Sequence, residues 1–77
     1  MHVTFYTKPG CGLCDEAEQM MRLVSEDFPF TWTTVNIEDD DAKHEQYMLM
    51  IPVLELDGEV LCYGNIGYAD LVLLLEP

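Results

Sequence analysis

The chain has 77 residues, 49% of them hydrophobic, enough for one small folded domain and too many for an acidic disordered tail. Fifteen Asp and Glu oppose three basic residues, Lys8, Arg22 and Lys43, giving a formal net charge of −12. That balance argues against nucleic acid and against anionic membrane surfaces, both of which need a basic face. It favours partners that carry a basic patch.

The elements follow in chain order. Residues 2–6 are short, β-branched and aromatic, which predicts a strand. Thr7-Lys8-Pro9-Gly10 is turn chemistry. From Cys11 the pattern turns helical, with Leu13, Ala17, Met20 or Met21, and Val24 as one apolar stripe. Asp15, Glu16 and Glu18 lie in the first turns, where the helix dipole favours them, and Pro29 closes the region. Residues 30–37 read as a second strand and 40–50 as a second helix, with Asp39 or Asp40 as N-cap. Residues 52–57 and 59–63 are strands joined at Asp57-Gly58, a hairpin signal. Gly64-Asn65 breaks the second of these, and 66–76 is a final helix. The order β-α-β-α-β-β-α makes the first two strands parallel and the last two antiparallel. The expectation is an α/β fold with a four-stranded mixed sheet and helices on both faces, one domain over residues 1–77.

The N-terminus has no basic region followed by an apolar one. The longest apolar run, residues 48–54, is interrupted by Pro52 and falls far short of the roughly 20 residues of a membrane helix. The expected compartment is the cytoplasm. Of the three cysteines, Cys11 and Cys14 form a C-x-x-C and Cys62 stands apart, an odd count unlike a secreted disulfide framework. A Cys11–Cys14 bridge closes so short a loop that it stabilises by about 2 kcal/mol at most. The pair therefore points to chemistry.

The C-x-x-C falls where a strand ends and a helix begins. Unpaired backbone N–H groups and the helix dipole favour an anion there, so Cys11 is expected to have a depressed pKa and to be the nucleophile. Lys8 is the nearest cation, opposed by Asp15, Glu16 and Glu18. Two intervening residues put Cys14 one helical turn away, able to close a redox-active disulfide and to resolve a mixed disulfide. The competing reading is half of a zinc site. Structural zinc needs four ligands, and the remaining candidates, Cys62, His2 and His44, are scattered. Pro52 opens what should be an internal strand, where proline cannot donate to the ladder. One reading is a plain strand-start proline. The other is a cis-proline loop beside the cysteines, in which Ile51 and Pro52 offer backbone to an extended substrate.

Tyr6-Thr7-Lys8-Pro9-Gly10-Cys11-Gly12-Leu13-Cys14, then Ile51-Pro52-Val53, then the Asp57-Gly58 hairpin and a last helix, resemble glutaredoxin over nearly the whole chain. The similarity is greatest to the small bacterial glutaredoxin-like proteins of unassigned function. It implies the thioredoxin fold, sheet order β2-β1-β3-β4, with the first and third helices on one face and the second on the other. It also implies Cys11 as nucleophile, Cys14 as resolving thiol and Pro52 as the cis-proline, with Tyr6, Lys8, Ile51 and Pro52 as the substrate-binding set. Several positions depart from the glutaredoxin pattern. Gly12-Leu13 replaces the usual Pro-Tyr, Met50-Ile51 replaces Thr or Ser-Val, and Ile66-Gly67-Tyr68-Ala69-Asp70 keeps one glycine of the pair that closes the glutathione site. Gly10 stands where thioredoxin has a Trp.

Other residues have ordinary readings. Cys62 is expected in the core, His44 on a solvated face, His2 at a strand end, and the methionines as core filling. Trp32 is given no role, and Glu38-Asp39-Asp40-Asp41 is a solvated acidic patch without calcium-ligand spacing. The leading expectation is a thiol–disulfide oxidoreductase of cell redox homeostasis, acting as a monomer on protein disulfides or glutathione mixed disulfides. It would hold no bound cofactor and would draw electrons from glutathione or a thioredoxin-reductase-type donor. The alternatives are a non-catalytic thioredoxin-fold binding module and an iron–sulfur or zinc carrier.

Overall fold

The computed structural model describes residues 1–76. They form β1 (His2–Thr7), α1 (Gly12–Ser25), β2 (Thr31–Asn36), a 3₁₀ turn (Ile37–Asp39), α2 (Asp41–Tyr47), β3 (Val53–Leu56), β4 (Glu59–Tyr63) and α3 (Tyr68–Leu75). The four strands make one sheet in the order β2-β1-β3-β4. β1 runs parallel to β2, pairing His2 with Thr31 through to Thr7 with Asn36. β3 is antiparallel to both β1 and β4. This is the expected order, and it puts the C-terminal ends of β1, β2 and β4 beside the start of β3.

Two apolar clusters sandwich the sheet. On one face Val3, Phe5 and Leu54 pack with Cys14, Ala17, Met21 and Val24 of α1 and Leu71 of α3. On the other, Tyr6 and Val53 pack with Ile37 and with Tyr47 of α2. Alternation along β1 explains the division, since Phe5 and Tyr6 must point to opposite faces.

The boundaries differ from the pattern reading in instructive ways. The buried stripe of α1 is Cys14, Ala17, Met21 and Val24, whereas Leu13 is 45% exposed. The correction is confined to the first position, since Ala17, Met21 and Val24 are buried as expected. Cys14 is an effective small apolar residue and takes the place expected of Leu13. β2 stops at Asn36 because the Asn36 side chain accepts from Glu38 N–H and turns the chain into the 3₁₀ segment. α2 is capped by Asp40, whose carboxylate accepts from Lys43 N–H at 3.1 Å, and it ends at Tyr47 rather than Met50. There the N–H groups of Met50 and Ile51 both return to Tyr47 O, closing a tight turn ahead of Pro52. Ile66, expected to open the last helix, is instead a buried anchor ahead of the N-cap Gly67. The hairpin turn forms at Asp57 (φ 52°) and Gly58 (φ 83°), the paired positive φ values of a type I′ turn.

β4 carries an irregularity that pattern reading misses. Leu54 pairs with Cys62 and Glu55 with Val60, so Leu61 is an extra residue opposite the Leu54/Glu55 step. The bulge turns both Leu61 and Cys62 toward the α1/α3 face and leaves Val60 on the α2 face.

Candidate redox site

Gly10 takes φ 79°, a left-handed turn that swings the chain from β1 into α1. Cys11 follows as the N-cap, with extended φ −94° and ψ 104°. Its carbonyl accepts the first intrahelical bond, from Asp15 N–H at 3.1 Å. Its Sγ accepts from Cys14 N–H at 3.1 Å, which is the place a serine or aspartate oxygen takes in an ordinary cap. The two sulfurs stand at disulfide distance, with the Cα atoms 5.2 Å apart. The cysteines are not equivalent. Cys11 is half-buried at the surface, and Cys14 is 1% exposed within the α1/α3 core. Gly12 beside them is exposed, and a Cβ there would meet nothing within 4 Å, so the approach over the first turn is open.

The Ile51–Pro52 peptide bond is cis. Tyr6 pairs with Val53, so Pro52 lies level with Thr7, the last residue of β1, and Ile51 lies beyond it, at the edge of the sheet from which the cysteine loop departs. Gly64 N–H donates to Met50 O at 3.0 Å and to Pro52 O at 2.8 Å, fastening β4's end to this loop. Pro52 is fully buried and Ile51 half-buried between the two apolar clusters. Ile51 N–H already donates to Tyr47 O at 3.1 Å. Backbone pairing to an extended substrate would therefore have to use other groups of the loop.

The remaining proposed substrate contacts separate. Lys8 is exposed in the loop between β1 and Cys11. Tyr6 is only 7% exposed and faces α2. Its hydroxyl donates to Glu55 Oε1 at 3.3 Å and its ring lies 5.1 Å from that of Tyr47. Tyr6 therefore supports the sheet beneath the site and offers little surface to a ligand.

Glu55 is the functional-looking residue that pattern reading missed. A glutamate between Leu54 and Leu56 reads as the polar side of an alternating strand, yet this one is 9% exposed. It accepts from Tyr6, from the Tyr47 hydroxyl and from Lys43 Nζ at 3.4 Å. The hydrogen bond from Tyr47 holds its carboxyl below the usual range against the cost of burial, and Lys43 adds to this. Burial and the Glu55 carboxylate push the Tyr47 hydroxyl up to about 12. The same two causes raise Tyr6. The signal that could have found the cluster is two tyrosines and a lysine on elements that sandwich one short strand.

Cys62 is free and half-buried in β4. Burial, with Asp70's charge adding, pushes its thiol up to about 11. His2 is exposed and its ring nitrogens lie 2.7 Å from Thr31 Oγ1 and 2.9 Å from Thr33 Oγ1. Trp32 packs at the edge of the α1/α3 core, its ring 5.6 Å from Phe30 and 6.0 Å from the Arg22 guanidinium. Among the described residues, no three His, Cys, Asp or Glu side chains converge as a metal set. No helix among them is long and apolar enough to cross a membrane.

This geometry has counterparts among known proteins. An X-ray structure of a Xanthomonas protein (X. campestris) superposes with TM-score 0.74 at 29% identity, covering 97% of this chain and 99% of that one. A solution structure of a Nitrosomonas europaea protein gives TM-score 0.81 at 22% identity, covering 97% and 91%. A mutant thioredoxin from Halobacterium salinarum gives TM-score 0.69 at 21% identity, covering 97% of this chain and 71% of that one, which makes the fold a thioredoxin fold. In sequence, a glutaredoxin-like protein of Dictyostelium discoideum is 30% identical over 99% of this chain and 80% of its own length. The family described as "Glutaredoxin-like domain (DUF836)" matches residues 2–76, and with the C-x-x-C at the helix start and the cis-proline loop in place, the chain belongs to that glutaredoxin-like family.

Proposed function

We propose that the protein is a thiol–disulfide oxidoreductase whose reacting groups are Cys11 and Cys14. One observation carries this reading. Cys11 Sγ caps α1 and accepts the Cys14 N–H, so in the dithiol state a Cys11 thiolate would find a hydrogen-bond donor and a helix dipole already aimed at it. Cys14, buried behind it, is sheltered from solution but within reach of Cys11.

The Cys11 thiolate attacks one sulfur of a substrate disulfide, forming a Cys11–substrate disulfide and expelling the other substrate sulfur as a thiolate, which takes up a proton. Cys14 loses its proton and attacks Cys11 Sγ. The Cys11–Cys14 disulfide forms and the second substrate thiol leaves. Two electrons pass from the protein to the substrate. An external thiol or dithiol reductant, glutathione or a thioredoxin-reductase-type donor, must return them. Ile51, the partly exposed residue of the cis-proline loop, would border the substrate with Pro52 buried beneath it, and Lys8, three residues before Cys11, is the nearest cation in sequence.

The test is trapping. Cys14→Ser protein mixed with a peptide disulfide should accumulate a mixed disulfide at Cys11, visible as one added peptide mass. Cys11→Ser should accumulate none. A wild-type protein that turns over no disulfide in the presence of either donor class contradicts the proposal.

A further inference from the structure

The sheet edge that carries the cysteines also gathers exposed apolar side chains. Leu13, between the cysteines, is 45% exposed. Leu49, two residues before Ile51, is 92% exposed. Tyr63, 58% exposed, precedes Gly64, whose N–H is bonded to the Met50 and Pro52 carbonyls. An apolar side chain as open as Leu49 contributes nothing to the core, and all three belong to segments at the end of the sheet where β1 and β4 finish and β3 begins.

The charge around them is of one sign. Asp15 and Glu16 open α1, Glu38-Asp39-Asp40-Asp41 follow the C-terminal end of β2, and Asp70 opens α3; all are exposed. A cleft of about 340 Å³ lined by Glu16, Gln19, Met20, Asn65, Ile66 and Gly67 lies between the middle of α1 and the turn that leads into α3. Two of the three basic side chains are already engaged, Arg22 with Glu18 at 3.3 Å and Lys43 with Glu55 at 3.4 Å. Lys8 alone has no carboxylate partner among the described residues. A second copy of the chain is a poor occupant, because it brings the same −12 to the same edge.

Building on the redox reading, we propose that this edge docks a polypeptide disulfide set in a basic segment, with an apolar residue of that segment seated on Leu13, Leu49 and Tyr63. The carboxylates steer the basic segment and the apolar side chains hold it against the Pro52 loop. Electrons come from the reduced Cys11/Cys14 pair, one disulfide being reduced as the other forms.

The test uses fully reduced protein in single turnover with three peptides. They share one internal disulfide and one neighbouring leucine, and are flanked by Lys/Arg, by Ser or by Asp. At low salt the basic peptide should be reduced at least about tenfold faster than the acidic one, with the gap shrinking at 0.5 M salt, where screening is strong. Asp39→Lys/Asp41→Lys should narrow that ratio, and Leu49→Ser should slow the basic peptide. Equal rates for all three peptides at low salt would overturn the docking proposal and leave the redox reading standing. Failure to reduce any peptide, or a small uncharged disulfide, would overturn both. A Leu49→Ser rate equal to wild type, or a low-salt dimer in sedimentation that buries Leu49, would also overturn the docking proposal.

Discussion

The Tyr47 hydroxyl donates to the Glu55 carboxylate, a buried hydrogen bond that ties the last residue of α2 to the middle of β3. Between these two residues the chain makes the turn that carries Leu49, Ile51 and the cis-Pro52. The carboxylate also receives Tyr6 from β1 and Lys43 from α2, so three elements meet on one charged group. No buried side-chain nitrogen or oxygen among the described residues lacks a partner.

Removing that acceptor should be costly. Glu55→Ala strands the Tyr6 and Tyr47 hydroxyls and should lower stability by about 3 kcal/mol. Tyr47→Phe removes one bond and should cost about 1–2 kcal/mol. Urea unfolding of the reduced proteins checks both. A Glu55→Ala midpoint equal to that of wild type would show that the cluster does not hold α2 to the sheet.

The same cluster sets two limits on pH stability. The Glu55 carboxyl sits below its unfolded value, so its stabilisation is full above the unfolded carboxylate range and is lost as pH falls through the folded value. Tyr47 behaves oppositely. Its hydroxyl is pushed up to about 12 while the unfolded group ionises near 10, so stability should fall as pH rises from 10 through 12. Thermal melts across that alkaline window should show a decline that Tyr47→Phe reduces. Identical slopes for the two proteins would contradict the assignment.

Glutathione should bind weakly. Gly67 N–H, at the start of α3, already donates to Asp70 Oδ2 at 2.8 Å, so this donor is occupied and its surroundings are negative. With a net charge of −12 against an anionic tripeptide, a dissociation constant above about 1 mM is expected by calorimetry. Asp70→Asn should tighten it. Tight, saturable binding to the wild type would contradict this.

Much of this was legible beforehand. The strand–helix junction at Cys11, the internal Pro52 and the Asp57-Gly58 turn are local signals with a mechanism, and each lies where the pattern put it. What was not legible depends on which groups meet across the sheet. Leu13 and Cys14 are both apolar, and only packing against Leu71 and the β1 side chains decides which one is buried. The β4 bulge moves Cys62 and Leu61 to one face without any glycine or proline to announce it. Glu55 looks like a solvent-facing strand residue until Tyr6, Tyr47 and Lys43 are seen to converge on it.

Alkylation of the fully reduced protein at graded pH, with mass mapping of each cysteine, reads out whether Cys11 is the nucleophile. Cys11 should be modified first and at the lowest pH, since its thiolate has the Cys14 N–H and the start of α1 to stabilise it. Cys14, 1% exposed, should follow slowly, and Cys62, pushed up to about 11 by burial, should stay unmodified near neutral pH. Modification of Cys14 or Cys62 ahead of Cys11 at low pH would contradict the account.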